Sequence, residues 1–228
     1  MEDLTKSWSC LTLSKNEGSD LRVMEEQAEI EHGLAIKFLT KCALNIDAIA
    51  KTFTPIWRTK NGFKVQREGD YIVLFTFDDK NEMEKIVAIE PWSFDKHLMV
   101  LQKYEKEEDL TELEFKWATF WVQVHDIPIR FRNKKVAEKI YEAIGIVNTI
   151  TDENEHEGDG FIRIRVTVDI SKPLSHGRVI FLDSGKELWV SFKYERLPNI
   201  CYWCGCLMHD DRDCEQWIES EGRISKES

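Results

Sequence analysis

An α+β fold in two sheet-bearing parts, followed by a small metal-organised segment, is what the sequence predicts. Three observations carry that expectation. Short apolar runs alternate with capped helical stretches in the order β-α-β-β-α-β between residues 33 and 104. A second β-α-β pattern fills 117–198 after an acidic break. Cys201, Cys204, His209 and Cys214 then fall in the spacing C-x2-C-x4-H-x4-C. The first order is that of a ferredoxin-like, or RRM-like, domain, in which two helices cover one face of an antiparallel sheet.

Residues 1–32 read as an acidic tail with a short helix near Leu21–Ile30. Leu34–Leu39 is an apolar run bounded by Gly33 and Thr40, and reads as a strand. Asn45 is the expected N-cap of a helix carrying Ile46, Ile49, Ala50 and Phe53 at helical spacing, which Pro55 should close. Trp57–Gln66 and Tyr71–Phe77 read as strands joined by a turn at Glu68-Gly69-Asp70. Glu82–Ile89 is a second helix with Met83, Ile86, Val87 and Ile89 available for burial. Pro91 stops it, and His97–Lys103 is the last strand. Trp92 and Phe94 are expected as core anchors.

Residues 105–116 form an acidic linker. Phe120–Val124 reads as a strand ended by Asp126-Ile127-Pro128. Asn133 caps a helix with Val136, Ala137, Ile140, Tyr141 and Ile144 on one side and Gly145 at its end. Strands follow at Ile146–Thr151 and Phe161–Ile170. In the second of these, Ile162, Ile164, Val166, Val168 and Ile170 alternate with Arg163, Arg165, Thr167 and Asp169. Arg178–Leu182 and Glu187–Tyr194 make a hairpin around Ser184-Gly185. The unit is expected to be a small β-α-β sheet, leading through Glu195-Arg196-Leu197-Pro198 into the cysteines. No internal repeat is visible.

The segment 199–217 is too short to bury a core, so it needs another source of order. A Cys3His set most often holds Zn2+ tetrahedrally, and folding and metal uptake then become one event. All four positions are filled by protein, leaving no place for an activated water, so the zinc is expected to be structural. Gly205 suits a tight turn around the metal. Cys206 is a further thiol that could compete as a ligand. Cys42 is expected as a small core residue. Residues 218–228 read as a polar tail.

Net charge is −11 over 228 residues, which at first argues against nucleic acid. The acid is localised: residues 1–33, 105–114 and 152–159 each net −5, so the remainder nets +4. A polyanion partner is therefore permitted. The N-terminus has no basic-then-apolar signal segment, and no apolar run suits a bilayer, so nuclear or cytoplasmic residence with no membrane partner is expected, not secretion. Cysteines in such a reducing compartment argue for thiols and metal.

The best basic candidate is Arg130, Arg132, Lys134, Lys135 and Lys139, with Arg163 and Arg165 on the polar face of the nearby strand. Phosphate contacts need such a cluster. A solvated helix start and an exposed strand face explain the same residues equally well. Tyr202 and Trp203 offer stacking surfaces for an unpaired base, or packing over the metal. Asp210, Asp211, Asp213 and Glu215 repel phosphate nearby. In the first sheet, Phe75 and Phe77 are expected toward the helices, since the opposite register would leave large apolar groups in water. Ile72 and Leu74 then face the other way and stack bases poorly. Catalytic motifs are missing: there is no phosphate-binding glycine loop, no Gly-x-Ser-x-Gly and no His-Glu-x-x-His. The expectation is a non-enzymatic binder of single-stranded RNA or DNA with little sequence specificity. The alternative is a protein–protein interaction adaptor, whose charge pattern only aids solubility.

Several segments resemble a known family. Ile56-Trp57-Arg58, Pro91-Trp92-Ser93-Phe94-Asp95 with His97-Leu98-Met99-Val100-Leu101, and Phe120-Trp121-Val122-Gln123-Val124 with Ile127-Pro128 carry the likeness. Pro173-Leu174 and Tyr194-Glu195-Arg196-Leu197-Pro198 before Cys201 extend it over nearly the whole chain. They resemble a plant domain of unknown function that typically precedes a CCHC-type zinc knuckle, as in first open reading frames of LINE-type retrotransposons. The resemblance implies zinc binding, nucleic-acid binding and a chaperone or packaging role toward the element's RNA. Met208 stands where many relatives have glycine, and relatives continue further past the knuckle.

Overall fold

The computed structural model describes residues 32–69, 71–104, 109–110, 112–148, 157–158, 160–209 and 211–220. These belong to one compact unit, Glu31–Ser228. The expected helix at Leu21–Ile30, the linker residues 105–108 and the tail beyond Ser220 lie outside the described residues.

The first part runs β1 (His32–Phe38), α1 (Ile46–Trp57), β2 (Lys64–Arg67), β3 (Ile72–Phe77), α2 (Lys80–Ala88), β4 (Trp92–Phe94) and β5 (His97–Tyr104). The sheet order is β2-β3-β1-β5-β4, with every neighbouring pair antiparallel. Asn45 caps α1, its side-chain oxygen accepting from the Ala48 N–H at 3.1 Å. Asp79 caps α2 in the same way through the Asn81 N–H at 2.8 Å. Ile49 and Phe53 from α1, with Met83 and Ile86 from α2, pack on Leu34, Ile36, Phe38, Val73, Phe75, Phe77, Met99 and Leu101. Phe75 and Phe77 thus take the helix-facing register that their burial cost demands. The opposite face is equally apolar: Ala35, Leu74, Leu98 and Val100 are each no more than 2% exposed.

Two boundaries differ from expectation. Helix α1 runs through Pro55 to Trp57, and β2 starts only at Lys64. A proline in the last turn forfeits one backbone bond. Burial of the Trp57 indole offsets that loss, since its ring meets those of Phe53, Phe63, Phe75 and Trp92 at 4.7–5.9 Å. Arg58 then ends the helix in the left-handed region, φ 49°, its N–H bonded to the Thr54 carbonyl. The second difference is β4. Three residues are too few to show alternation, yet they pair with β5 and hold Trp92 and Phe94 against the core. Cys42 is exposed, not a core residue; it sits in the loop between β1 and α1, where its N–H reaches the Thr40 hydroxyl.

The second part contains β6 (Trp117–His125), α3 (Lys134–Tyr141), β7 (Ile146–Val147), β8 (Glu157–Gly158), β9 (Phe161–Asp169), β10 (Gly177–Phe181) and β11 (Glu187–Tyr194). It is larger than the small β-α-β unit expected. Six strands form one sheet, ordered β10-β11-β6-β9-β7 with β8 also on β9. The reason is length: β6 and β9 have nine residues each and pair antiparallel from Trp117↔Asp169 to Val124↔Ile162. That leaves the far edge of β6 for the returning hairpin. The alternation in β9 appears as expected, with Ile162, Ile164, Val166 and Val168 buried on the side of α3. Asn133 caps α3 through the Val136 N–H at 3.1 Å. Tyr141 at its end is fully buried and donates to the Val122 and Ile162 carbonyls, tying the helix to the two central strands. Burial raises its phenol well above the ordinary range. Gly145 lets the chain leave α3 close to β9, where a Cβ would lie 2.3 Å from the Thr167 carbonyl oxygen.

Candidate metal centre and basic surface

After Tyr194 the chain crosses back over the first part. The Asn199 N–H bonds to the Lys96 carbonyl at 2.9 Å. A tight turn follows: the Cys201 N–H bonds to the Cys206 carbonyl, and the Gly205 N–H returns to the Cys201 carbonyl. Gly205 has φ +74°, the conformation the sequence reading required of it. Its carbonyl accepts from the Leu174 N–H at 2.9 Å, so the turn is docked on the second part. Leu207 is buried, and Lys41 after β1 pairs with Asp213 at 2.9 Å. The Tyr202 N–H is held by the Asp211 carboxylate at 2.7 Å. The segment is therefore anchored on both sheets. A cleft beside it is lined by Lys37, Thr40, Lys41, Tyr71, His97, Met208 and His209.

The ligand atoms of Cys201, Cys204, His209 and Cys214 all lie within 4.8 Å of one another. Donors around one tetrahedral zinc, at about 2.0–2.3 Å from it, would lie roughly 3.7 Å apart, so a small contraction completes the sphere. Cys204 Sγ and His209 Nε2 are already 3.2 Å apart. The donor set therefore fits zinc, and its role would be to cross-link the turn to the short helical segments Asp211–Asp213 and Glu215–Glu219. Cys206 is outside the cluster, its thiol turned to the Cys204 carbonyl at 3.9 Å. Burial pushes the Cys201 thiol up to about 12 and raises that of Cys204. Desolvation acts upward on Cys214 too, but hydrogen bonds from the Trp217 N–H, His209 and the neighbouring thiols bring it down to about 7.

The basic candidates separate into two groups. Arg130, Lys135 and Lys139 are exposed near α3, and Lys134 is its first residue. The others have partners within the molecule. Arg132 donates to the Ile127 carbonyl. Arg163 lies over the Trp121 ring at 4.5 Å and pairs with Glu195 at 3.5 Å. Arg165 donates to the Ala88 and Val87 carbonyls at the C-terminal end of α2. A cation suits that negative helix end. Arg196 joins it there, donating to the Ile89 and Pro91 carbonyls over the Trp92 ring. Sequence reasoning missed this joint; the Arg at 196 directly before Leu197-Pro198 was its one signal. Glu90 is buried beside it, and desolvation, against a Thr119 hydrogen bond and the Arg165 charge, raises its carboxyl to about 7. In the knuckle, Tyr202 is 78% exposed, while Trp203 stacks on Trp217 at 4.3 Å.

Residues 26–112 match the model of a domain of unknown function, DUF4283, and residues 168–216 match a zinc knuckle. The chain thus combines a DUF4283 domain with a CCHC-type zinc knuckle, the pairing its motifs resemble. The knuckle match takes in β10 and β11 as well as the four ligands. An uncharacterized protein of Arabidopsis thaliana, At4g02000, is 26% identical over 137 residues, covering 58% of this chain. The chain spans 42% of that relative's length. No helix among the described residues is long and apolar enough to cross a membrane.

Proposed function

We propose that this chain is a non-enzymatic, zinc-containing protein that binds single-stranded RNA or DNA with little sequence specificity. The observation that carries the reading is the Cys3His cluster, set in a knuckle docked on both sheets with Tyr202 presented beside it. Zinc would be structural, held by Cys201, Cys204, His209 and Cys214. The first sheet is proposed to be an RRM-like domain with an added edge strand; the order β2-β3-β1-β5 and its antiparallel pairing support that. Origin from a retrotransposon first open reading frame and nuclear or cytoplasmic residence belong to the same reading, on the resemblance. Arg130, Lys135 and Lys139 are the phosphate contacts favoured by their exposure, with Lys134 beside them. Arg132, Arg163 and Arg165 have internal partners and contribute less.

The test is anisotropy of a labelled single-stranded RNA against the zinc-loaded chain, titrated across salt. Affinity falling steeply with salt supports the reading. Changing Arg130, Lys134, Lys135 and Lys139 together to Ala should weaken binding and flatten that slope. No binding at low salt would sink it. One observation favours the adaptor reading instead: the knuckle carries Asp211, Asp213 and Glu215. A stoichiometric protein partner retained after nuclease treatment would support that reading.

A further inference from the structure

We propose that the cleft between helices α1 and α2 docks an acidic, aliphatic segment of a partner protein. The proposal goes beyond the nucleic-acid reading and does not depend on it. The cleft lies where the last turn of α1, the loop after it and one side of α2 meet. Its volume is about 220 Å³. Ordinary small-molecule sites run from roughly 300 to 1,000 Å³, so this one suits a few side chains and not a cofactor. Ile86 lines it as a buried group, Trp57 and Trp92 as half-buried ones. Ile56 and Ile89 line it while standing 50% and 53% exposed. Each lies one turn beyond a buried residue on the same helical stripe, Ile56 after Phe53 and Ile89 after Ile86. Two apolar stripes thus run past their core cover into one cleft.

Charge selects the occupant. Arg58, Lys60 and Lys85 line the cleft and are exposed, and Glu82 is the one acid among its described lining residues. Glu82 is buried, and its carboxylate already accepts from the Lys60 N–H at 2.8 Å. The acids nearby are engaged as well. Glu84 pairs with Lys103 at 2.6 Å, Asp79 caps α2, and Glu90 is buried beside Arg165. Cations at helix C-termini have an internal use. Arg58 serves the end of α1, donating to the Pro55 carbonyl, while Arg165 and Arg196 take carbonyls at the end of α2. Lys60 and Lys85 are left over, each with no ion pair among the described residues. Two such ammonium groups beside an aliphatic surface call for carboxylates carried next to aliphatic side chains.

Nucleic acid would match the lysines but not the surface between them. Isoleucines give a base no ring to stack on. The Trp92 ring carries the Arg196 guanidinium at 5.1 Å, and the Trp57 ring packs among those of Phe53, Phe63, Phe75 and Trp92. A neutral apolar peptide would cover the isoleucines but desolvate the lysines without partners. A segment with aliphatic side chains at helical spacing and carboxylates flanking them satisfies both, in the helix-in-groove mode. The chain's net charge of −11 does not prevent this approach. Exposed charges are screened beyond about 8 Å at physiological salt, so the lysines at the cleft govern the final contact.

The experiment is selection of a randomised peptide library, displayed on phage, against the zinc-loaded full chain. The double variant Lys60→Glu, Lys85→Glu serves for counter-selection. Enrichment of peptides that combine Leu or Ile with Asp or Glu supports the proposal. An enriched peptide, labelled and titrated by anisotropy, should lose about tenfold in affinity in the double variant and about tenfold in Ile89→Ser. All three side chains are exposed, so the fold should persist, which the far-UV spectrum checks. An affinity equal in parent and double variant overturns the proposal. So does the absence of an acidic, aliphatic consensus. In that case, single-stranded RNA affinity falling in the double variant would assign the lysines to phosphate and leave the nucleic-acid reading standing. A concentration-dependent dimer abolished by Ile56→Ser would instead assign the cleft to a second copy of the chain.

Discussion

The two sheets make opposite use of the same β-strand alternation. In the first, β1, β3 and β5 are buried on both faces, and their sequences read as near-continuous apolar runs such as Leu34-Ala35-Ile36 and Leu98-Met99-Val100-Leu101. In the second, β9 alternates strictly between a buried aliphatic side and a half-exposed side carrying Phe161, Arg163, Arg165 and Thr167. A sheet sealed on both sides is a scaffold. The second sheet carries a helix on one side only, and on the other the end of α2 meets it at Thr119 and Arg165. The strand order β2-β3-β1-β5 of the first part invites a search for base stacking there, yet Leu74 and Val100 hold the relevant positions.

The sharpest way to break the comparison is to remove the element that bridges both sheets. Cys201→Ala or Cys214→Ala should abolish zinc uptake and release the segment after Asn199 from both parts. A structural site of this class contributes on the order of 10 kcal/mol to its local fold. Cys206→Ser should keep its metal, because that thiol is outside the cluster. Metal content by mass spectrometry, with and without chelator, reads both. Zinc loss in Cys206→Ser would mean that the turn uses a different ligand register.

Deletions of single rings then separate the two sheets. Phe75→Ala removes a fully buried ring from the first core and should cost about 3–5 kcal/mol in denaturant midpoint analysis. Trp189→Ala, more than half exposed, should cost about 1 kcal/mol or less. Equal losses would mean that Trp189 is as much a core ring as Phe75.

The joint between the sheets should show in pH. The Glu90 carboxyl is raised from 4.5 to about 7 in the folded chain, so the folded state holds a proton that the unfolded state releases above about 4.5. Its stabilising contribution is full below pH 4.5 and is lost as pH rises through about 7. The ceiling is about 3 kcal/mol, the Thr119 hydrogen bond and the Arg165 charge being already included in that shift. Glu90→Gln should flatten the stability profile between pH 5 and pH 7. A profile as steep as that of the parent chain would assign the dependence elsewhere.

Much of this arrangement is legible in the residues. Asn45 and Asn133 mark helix starts, Phe75 and Phe77 fix the register of β3, and the four ligands show by spacing alone. What is not legible depends on distance in the chain. Pro55 reads as a stop, and only the distant rings of Phe75 and Trp92 explain why the helix passes it. Arg163 and Arg165 read as two equivalent surface cations. Their fates diverge because Trp121 and Glu195 take one, while the end of α2 takes the other. Strand count in the second sheet was hidden for the same reason, since periodicity reports a strand's faces and not its neighbours.

The caps offer the smallest and most local contrast. Asn45→Ala and Asn133→Ala each remove one hydrogen bond to an orphan N–H, at about 1 kcal/mol. The global effect should be similar in the two. The local effect should not be. Helix α1 is twelve residues long and inserts Ile49, Phe53 and Trp57 into the first core, so tertiary contacts hold it after its cap is gone. Helix α3 has eight residues and is pinned chiefly by Ala137 in its middle and by Ile140 and Tyr141 at its end. Its first turn, with Lys134 and Lys135, depends on the Asn133 cap. Amide exchange should therefore quicken at 134–137 in Asn133→Ala, with the sheet amides unchanged, while Asn45→Ala leaves α1 protected past its first turn. If the nucleic-acid reading holds, that fraying also spreads the basic cluster and lowers affinity slightly. Equal protection in both variants would show that α3 is held by contacts beyond the described residues.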